Sequence, residues 1–298
     1  MKLQQAKRSS SPMKLLISGP SGSGKSFSSL QLARGLVDKW EDICIIDTEN
    51  GSADLYSHLG GYSVIRLEAP FHPNRYIEAL NLAVEAGMKC IIIDSISHEW
   101  SGKGGCLELH EKATNSMKIP NSFAAWASVT PLHQSFLDAI IQCPVHVVCT
   151  ARAKTDFIMV DRNGKSAPQK VGMALVTRDG FDYEISIHLE LDQQHQAHCS
   201  KDRTGLFMDK SPFVISADTG IRIQRWCNSS GEESLEGKIS QCSSMPELIK
   251  LYDELSHPQQ EQAKMLFRKR KAELLAGKKV SDEVKQIPIH KNGHAVIL

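Results

Sequence analysis

The chain has 298 residues, 41% of them hydrophobic, and 35 basic against 34 acidic side chains leave a formal net charge of +1. That length suits one large α/β domain or one domain with appendages. A charge so close to balance excludes a globally basic nucleic-acid binder, so any basic surface must be local. No apolar run approaches the ~20 residues that a membrane span needs, and the first dozen residues lack the apolar core of a signal peptide. A soluble, cytoplasmic protein without membrane contact is therefore expected, with residues 1–12 as a flexible basic tail. The eight cysteines lie scattered with no C-x-x-C pair, as core thiols in a reducing compartment do. Cys106 and His110 have an i, i+4 metal-ligand spacing, but no second pair completes a zinc site.

Met13 to Ile17 is an apolar run that reads as a buried strand. It leads into Gly19-Pro20-Ser21-Gly22-Ser23-Gly24-Lys25-Ser26, which fits G-x-x-x-x-G-K-[ST]. Leu30, Ala33, Leu36 and Val37 then mark an amphipathic helix. In that strand–loop–helix setting, backbone N–H groups close around phosphates and the helix N-terminus favours negative charge. The predicted nucleotide contacts run from Gly19 to Ser26 and on to Phe27. Lys25 is predicted to reach the β- and γ-phosphates, and the Ser26 hydroxyl to ligate Mg²⁺.

Ile43 to Ile46 form a short strand ending in Asp47-Thr48-Glu49, and Gly51 breaks it. A third strand is expected over Tyr62 to Leu67, and a helix over Asn74 to Ala86. Cys90-Ile91-Ile92-Ile93-Asp94 is the clearest strand, ending in a Walker-B carboxylate. Ser95 to Asn121 reads as irregular, Ser122 to Ile141 as a helix and Val145 to Thr150 as a buried strand. This alternation predicts a parallel, doubly wound sheet. Beyond it, Asp156 to Val160 and Gln169 to Leu175 flank a hairpin turn at Asp161-Arg162-Asn163-Gly164. Tyr183 to Leu191 reads as a strand with one exposed face, and His195 to Ser200 and Gly220 to Trp226 as further antiparallel strands. From Gly231 the chain becomes polar and helical, with a hairpin of Met245 to Leu255 and Pro258 to Leu275. Between Lys264 and Lys279 lie seven basic residues against the one acid Glu273, either a solvated helix face or a nucleic-acid or partner contact. The expected domains are 13–230 and a helical appendage at 231–280, with a flexible tail at 281–298.

With the phosphate loop, Ile45-Ile46-Asp47-Thr48-Glu49 and Ile92-Ile93-Asp94-Ser95, the chain resembles the RecA-like ATPases. More closely it resembles the phage-encoded RecA-like ATP-binding proteins that include single-strand-annealing recombinases. The resemblance runs from about Lys14 to Trp226. It implies an α/β RecA-like P-loop NTPase core, a parallel sheet extended by antiparallel strands, with a small C-terminal helical appendage. It also implies ATP and Mg²⁺ as cofactors, hydrolysis to ADP and phosphate, single-stranded DNA as partner, and a head-to-tail ring or filament. A single-strand-binding protein is a further expected partner. Glu49 matches the glutamate that polarises the attacking water, with Asp47 as a rival, and Asp94 the Mg²⁺-holding acid. Lys201 and Arg203 match basic residues presented to a neighbouring subunit's γ-phosphate. Where such recombinases often carry a polar amide sensor, this chain has Arg152, a sensor candidate or a structural ion-pair partner. The two loops that bind DNA in the family match Ser97 to Asn121 and Ala153 to Val171. These supply Trp100, Lys103, Lys112 and Lys118, then Lys154, Phe157, Arg162, Lys165 and Lys170, cations interleaved with aromatics as single-strand binding requires. A P-loop small-molecule kinase and an ATP-gated adaptor in a replication or packaging assembly are the alternatives.

Overall fold

The computed structural model describes residues 12–162, 165–229 and 235–285; side chains at 155–172, 236, 257–258, 261–262 and 276–285 lie outside the description. The tail at 1–11, the turn residues 163 and 164, the junction at 230–234 and the tail at 286–298 also lie outside it. Met1–Asn228 and Ser229–Leu298 form two compact units.

The first unit is built on a sheet. Its elements are β1 (Lys14–Gly19), α1 (Lys25–Leu36), β2 (Ile43–Asp47), β3 (Ser63–Arg66), α2 (Pro73–Glu85), β4 (Cys90–Asp94), α3 (Ser97–Ser101), α4 (Cys106–Asn115) and α5 (Ser122–Gln142). There follow β5 (His146–Arg162), β6 (Lys165–Leu175), α6 (Phe181–Glu184), β7 (Ile187–Leu191), β8 (Ala197–Asp202) and α7 (Ala217–Asn228). The strand order is β3-β2-β4-β5-β1-β7-β8. All neighbours are parallel except β7 with β8, and β6 pairs with β5 alone, antiparallel from Ala153 outward. The phosphate-loop strand β1 and the Walker-B strand β4 are thus separated by β5, the arrangement of a RecA-like P-loop core.

The apolar runs exist because both faces of this sheet are covered. In β1, Leu15 and Ile17 join a core cluster with Leu30, Ala33 and Leu36 of α1 and Ile223 of α7. Leu16 points the other way, into a cluster with Tyr76 and Leu80 of α2 and Phe136 and Ile140 of α5. A strand residue alternates face at each step, so a strand buried on both sides must be apolar throughout. Ile91, Ile92 and Ile93 are each 0% exposed, and burying such a side chain stabilises by about 1.5–3 kcal/mol.

Four expectations need correction. Gly220 to Trp226 is part of α7, not a strand. Its buried residues, Thr219, Gly220, Ile223 and Cys227, follow helical spacing, whereas the alternation of Ile221 and Ile223 imitates a strand. α7 packs backbone to backbone on α1: a Cβ on Gly220 would lie 2.1 Å from the Leu32 carbonyl oxygen, and one on Gly35 1.9 Å from that of Ala217. Tyr183 to Leu191 divides into α6 and β7, and β7 is almost wholly buried because it lies parallel to β1 inside the sheet. The antiparallel extension therefore consists of the β5–β6 ribbon and the β7–β8 hairpin, whose second strand begins at Ala197. Finally, the stretch 95–121 is not irregular: it carries α3 and α4, which start directly behind the Walker-B strand.

The second unit contains α8 (Leu235–Gln241), α9 (Met245–Asp253) and α10 (His257–Lys285). Its core gathers Ile239, Cys242, Leu248, Ala263 and Phe267, with Leu251, Tyr252, Leu255 and Leu266 packed against it. Ser244 caps α9 by accepting from the Glu247 N–H, while the Glu247 carboxylate accepts from the Ser243 N–H at 2.8 Å. This is a variant of the reciprocal capping pattern. α8 had no counterpart in the sequence pattern.

Candidate nucleotide site

Parallel register gathers the polar residues at one end of the sheet. Gly19 of β1 aligns with Arg152 of β5, Asp47 of β2 with Asp94 of β4. There the chain leaves β1, turns through Gly22 (φ 80°) and Gly24 (φ 86°) and enters α1 at Lys25. Those left-handed angles are open to glycine at little cost and strained for other residues. The loop, Glu49, Asp94, Arg152 and His195 line a cavity of about 610 Å³, to which Phe27, Tyr56, Val214 and Ile215 add an apolar wall. Such a size suits a small-molecule or cofactor site.

The Lys25 ammonium donates to the carbonyls of Gly19 (3.1 Å) and Pro20 (2.8 Å) in its own loop. Burial lowers its pKa, and the charges of Asp94 and Glu49 oppose that shift. Ser26 Oγ donates to Asp94 at 2.5 Å, and Thr150 Oγ1 donates to the other Asp94 oxygen. Burial pushes the Asp94 carboxyl up against the pull of those two hydrogen bonds. Ser23 Oγ is buried and has no hydrogen-bond partner among the described residues. An orphan hydroxyl inside a glycine-framed loop, beside an all-oxygen Ser26–Asp94 pair, fits a phosphate chain with Mg²⁺.

Glu49 follows β2 and faces the same cavity. Arg152 holds it with two bonds, Nε to Oε1 at 3.2 Å and an Nη to Oε2 at 2.5 Å, and Ser95 Oγ donates at 3.1 Å. Burial pushes the Glu49 carboxyl up, but Arg152, with His98 and Ser95, outweighs it and holds the pKa below the usual range. The rival Asp47 is otherwise engaged. Its two oxygens accept from the backbone N–H groups of Glu49 (2.7 Å) and Ala53 (3.1 Å). It shapes the turn that presents Glu49.

Sequence reasoning missed several members of the site. Thr150 lies two residues before Arg152 on β5, and a polar residue after the apolar run was its only local signal. Thr48 Oγ1 accepts from the Ser95 N–H at 2.8 Å and contacts His98 Nδ1 at 2.8 Å, tying the Glu49 turn to the Walker-B turn. His195 Nδ1 lies 3.0 Å from the Ser23 carbonyl oxygen, across 172 residues.

Lys201 and Arg203 do not line this cavity. Lys201 pairs with His188, which aligns with Leu16, three positions before Gly19. At 3.2–3.4 Å per residue that is about 10 Å back along the sheet. Both side chains donate to the Tyr183 carbonyl, and Lys201 also to that of Asp182 at 2.7 Å. Of the proposed DNA contacts, Lys103 and Lys154 are exposed. Trp100 is half-buried, its ring stacked on Trp126 and edge-on to His133. The side chains of Phe157, Arg162 and Lys165 lie outside the described residues, although Arg162 and Lys165 face each other in the β5–β6 register.

The strand order, the phosphate loop and the Ser26–Asp94 pair together define a P-loop NTPase with a RecA-like core. The AAA-domain family profile matches residues 11–213, and the chain belongs to that family. No curated protein sequence matches at a significant level. Among 105 matching chains of solved structures is a KaiC-like protein from the hyperthermophilic archaeon Pyrococcus horikoshii OT3. It is 15% identical, the match covers 73% of this chain and 97% of that one, and the TM-score is 0.41. The fold assignment rests on the strand order rather than on that likeness. No helix among the described residues is long and apolar enough to cross a membrane.

Proposed function

We propose that the chain hydrolyses ATP with Mg²⁺ and couples turnover to single-stranded DNA in recombination or annealing, as a head-to-tail homo-oligomer. The observation that carries this is the path of β5. One strand presents Thr150 to Asp94 and Arg152 to Glu49. From Ala153 onward it leaves the sheet as a ribbon with β6. A nucleic-acid strand held on that ribbon, with its Lys154, Arg162, Lys165 and Lys170, pulls on the residues that contact the catalytic acids.

Phosphoryl transfer needs positioning and charge neutralisation more than covalent help. Lys25 exchanges its two loop carbonyls for phosphate oxygens. Ser26 and Asp94 would hold Mg²⁺, which when bound neutralises phosphate charge. In the structure Arg152 occupies both oxygens of Glu49. A γ-phosphate competes for that guanidinium, and Arg152 turning to it frees Glu49 to orient and deprotonate water. Lys201 and Arg203, at the far end of the sheet, serve the site of a neighbour, since heterologous contacts bring opposite ends of two subunits together.

The test is ATP turnover with and without single-stranded DNA, in wild type and with Lys103, Lys154, Arg162 and Lys165 all replaced by alanine. Wild-type turnover should rise with DNA. The variant should bind single strands more weakly, with a salt slope shallower by up to roughly 0.7 for each phosphate that is no longer neutralised. Unaltered DNA binding at two salt concentrations rejects this surface, and phosphate transfer to a small acceptor in place of water indicates a kinase.

A further inference from the structure

Behind the Walker-B strand lies a second cluster of chemically competent side chains, remote in sequence and closed to solvent. Glu99 of α3 and Cys106 at the start of α4 are both 0% exposed, and His133 of α5 is 3% exposed. Cys106 Sγ lies 3.0 Å from Glu99 Oε1. His133 Nδ1 lies 3.1 Å from each Glu99 oxygen. The three ligand atoms all fall within 4.8 Å of one another. The close approach is built into the backbone: a Cβ on Gly105 would lie 2.5 Å from the Glu99 carbonyl oxygen. Only glycine there lets Cys106 turn in against α3.

We propose that Glu99, Cys106 and His133 form a structural site for a divalent transition metal of the zinc class. The donor set is a thiolate, an imidazole nitrogen and a carboxylate, the types that zinc selects. With both Glu99 oxygens turned to His133, a bidentate carboxylate supplies two of four donors, so the site closes without solvent. Zinc–ligand bonds of about 2.0–2.3 Å place donors of different side chains roughly 3.3–3.6 Å apart, the two oxygens of one carboxylate being held closer by their shared carbon. The contacts of 3.0–3.1 Å need therefore open by only a few tenths of an ångström.

Charge favours the same occupant. An ionised carboxylate wholly inside the protein is costly unless it is compensated. A thiolate and a carboxylate together balance one divalent cation, and the imidazole remains neutral. Besides His133 itself, the cation recorded as acting on this cluster is Arg178, which acts on Cys106 through its charge and lies 5.8 Å from the Trp126 ring. Without a metal, burial and the neighbouring Glu99 push the Cys106 thiol far up; binding deprotonates it and releases the proton. The metal would staple α3, α4 and α5 together immediately after Asp94, the segment matched to the first DNA loop. His110, the ligand suggested by spacing, takes no part: its Nε2 lies 2.9 Å from the Ser122 carbonyl oxygen, and its ring stacks on Trp126.

The test uses the full chain purified under reducing conditions, with metal content measured before and after chelation. One zinc per chain is expected. Cobalt(II) added to the stripped protein should give a sulfur-to-metal charge-transfer band, which an oxygen-liganded Mg²⁺ site at Ser26 and Asp94 does not produce. Cys106→Ser should lose that band and Cys199→Ser should keep it, and stoichiometric zinc should raise the melting temperature of stripped wild type. If Cys106→Ser does not fold, the wild-type cobalt spectrum and zinc titration still decide. Absence of both stoichiometric zinc and the band in wild type, or a band that survives Cys106→Ser, overturns the site in favour of a hydrogen-bonded triad.

Discussion

The two ends of the sheet use lysine in opposite ways. At the phosphate-loop end, Lys25 rests on carbonyls five and six residues away in its own loop, partners that it can exchange for phosphate. At the other end, Lys14 is 5% exposed and donates to the carbonyls of Cys143 (2.7 Å) and Val145 (2.6 Å), more than a hundred residues away. Those bonds tie β1 to the start of β5 and have nothing to exchange with. A lysine held by its own loop can trade partners, whereas one held by distant carbonyls is committed to the fold. Lys201 and Arg203 stand at the same far end but on a surface, held by the carbonyls of a four-residue helix, α6.

The largest expected effect breaks this contrast directly. Lys25→Ala should lower turnover by at least ~10²–10³-fold, the scale for one transition-state donor, with little change in melting temperature. Lys14→Met should do the reverse. It leaves two inward carbonyls short of a donor, at about 1–3 kcal/mol each, while the folded fraction keeps its turnover number. Steady-state kinetics beside thermal melts separate the two, and a Lys14→Met variant that melts like wild type denies that end its structural role.

Glu49→Gln should keep ATP affinity and lower turnover by ~10²-fold, as loss of a general base does. Unchanged turnover would remove Glu49 from the chemistry, and Asp47 cannot replace it while both its oxygens cap backbone N–H groups.

The far end also carries His146, which accepts from the Met13 N–H at 3.1 Å. Burial, with the charge of Lys14, lowers its pKa to about 4. The unfolded chain binds this proton below about pH 6.5, so stability is full above that value and falls as pH drops toward 4. The loss should reach about 2 kcal/mol near pH 5. His146→Gln should flatten this part of the stability–pH curve, and equal slopes in both proteins would show that other groups cause it.

The smallest effect sharpens the account of the near end. Arg152 is what holds the Glu49 pKa below its usual range against burial. In Arg152→Ala that pKa should rise, and the acid limb of the rate–pH profile should move to higher pH, since the base must be ionised. An unmoved limb means that Arg152 does not act on Glu49.

Much of this was legible in the sequence, for a physical reason. Gly19 to Ser26 and the strand Cys90–Asp94 are local patterns, whose roles follow from backbone geometry and from burial on both faces. Arg152 beside Glu49 is a contact across 103 residues. It was created by the parallel register of β2, β4 and β5, so the sequence left Arg152 open between sensor and ion-pair partner. The triad of Glu99, Cys106 and His133 was equally hidden, because its members lie on three helices and only Cys106 had a local partner to suggest. α7 was misread because Ile221 and Ile223 alternate, whereas its closeness to α1 rests on Gly35 and Gly220, which carry no hydrophobic signal. Lys201 and Arg203 were found, but only the pairing of β8 with β7 places them at the end away from the cavity.

That placement makes the proposed composite site the central claim: each chain would supply a cavity at one end of its sheet and cations for a neighbour at the other. The direct measurement mixes Lys25→Ala with Arg203→Ala, each expected to be inactive alone, since trans arginines contribute ~10³–10⁵-fold in related NTPases. Mixed assemblies contain interfaces that join an intact phosphate loop to an intact Arg203, so part of the ATP turnover should return as the two are combined. Full activity of Arg203→Ala by itself, or a mixture no more active than its parts, would contradict the account.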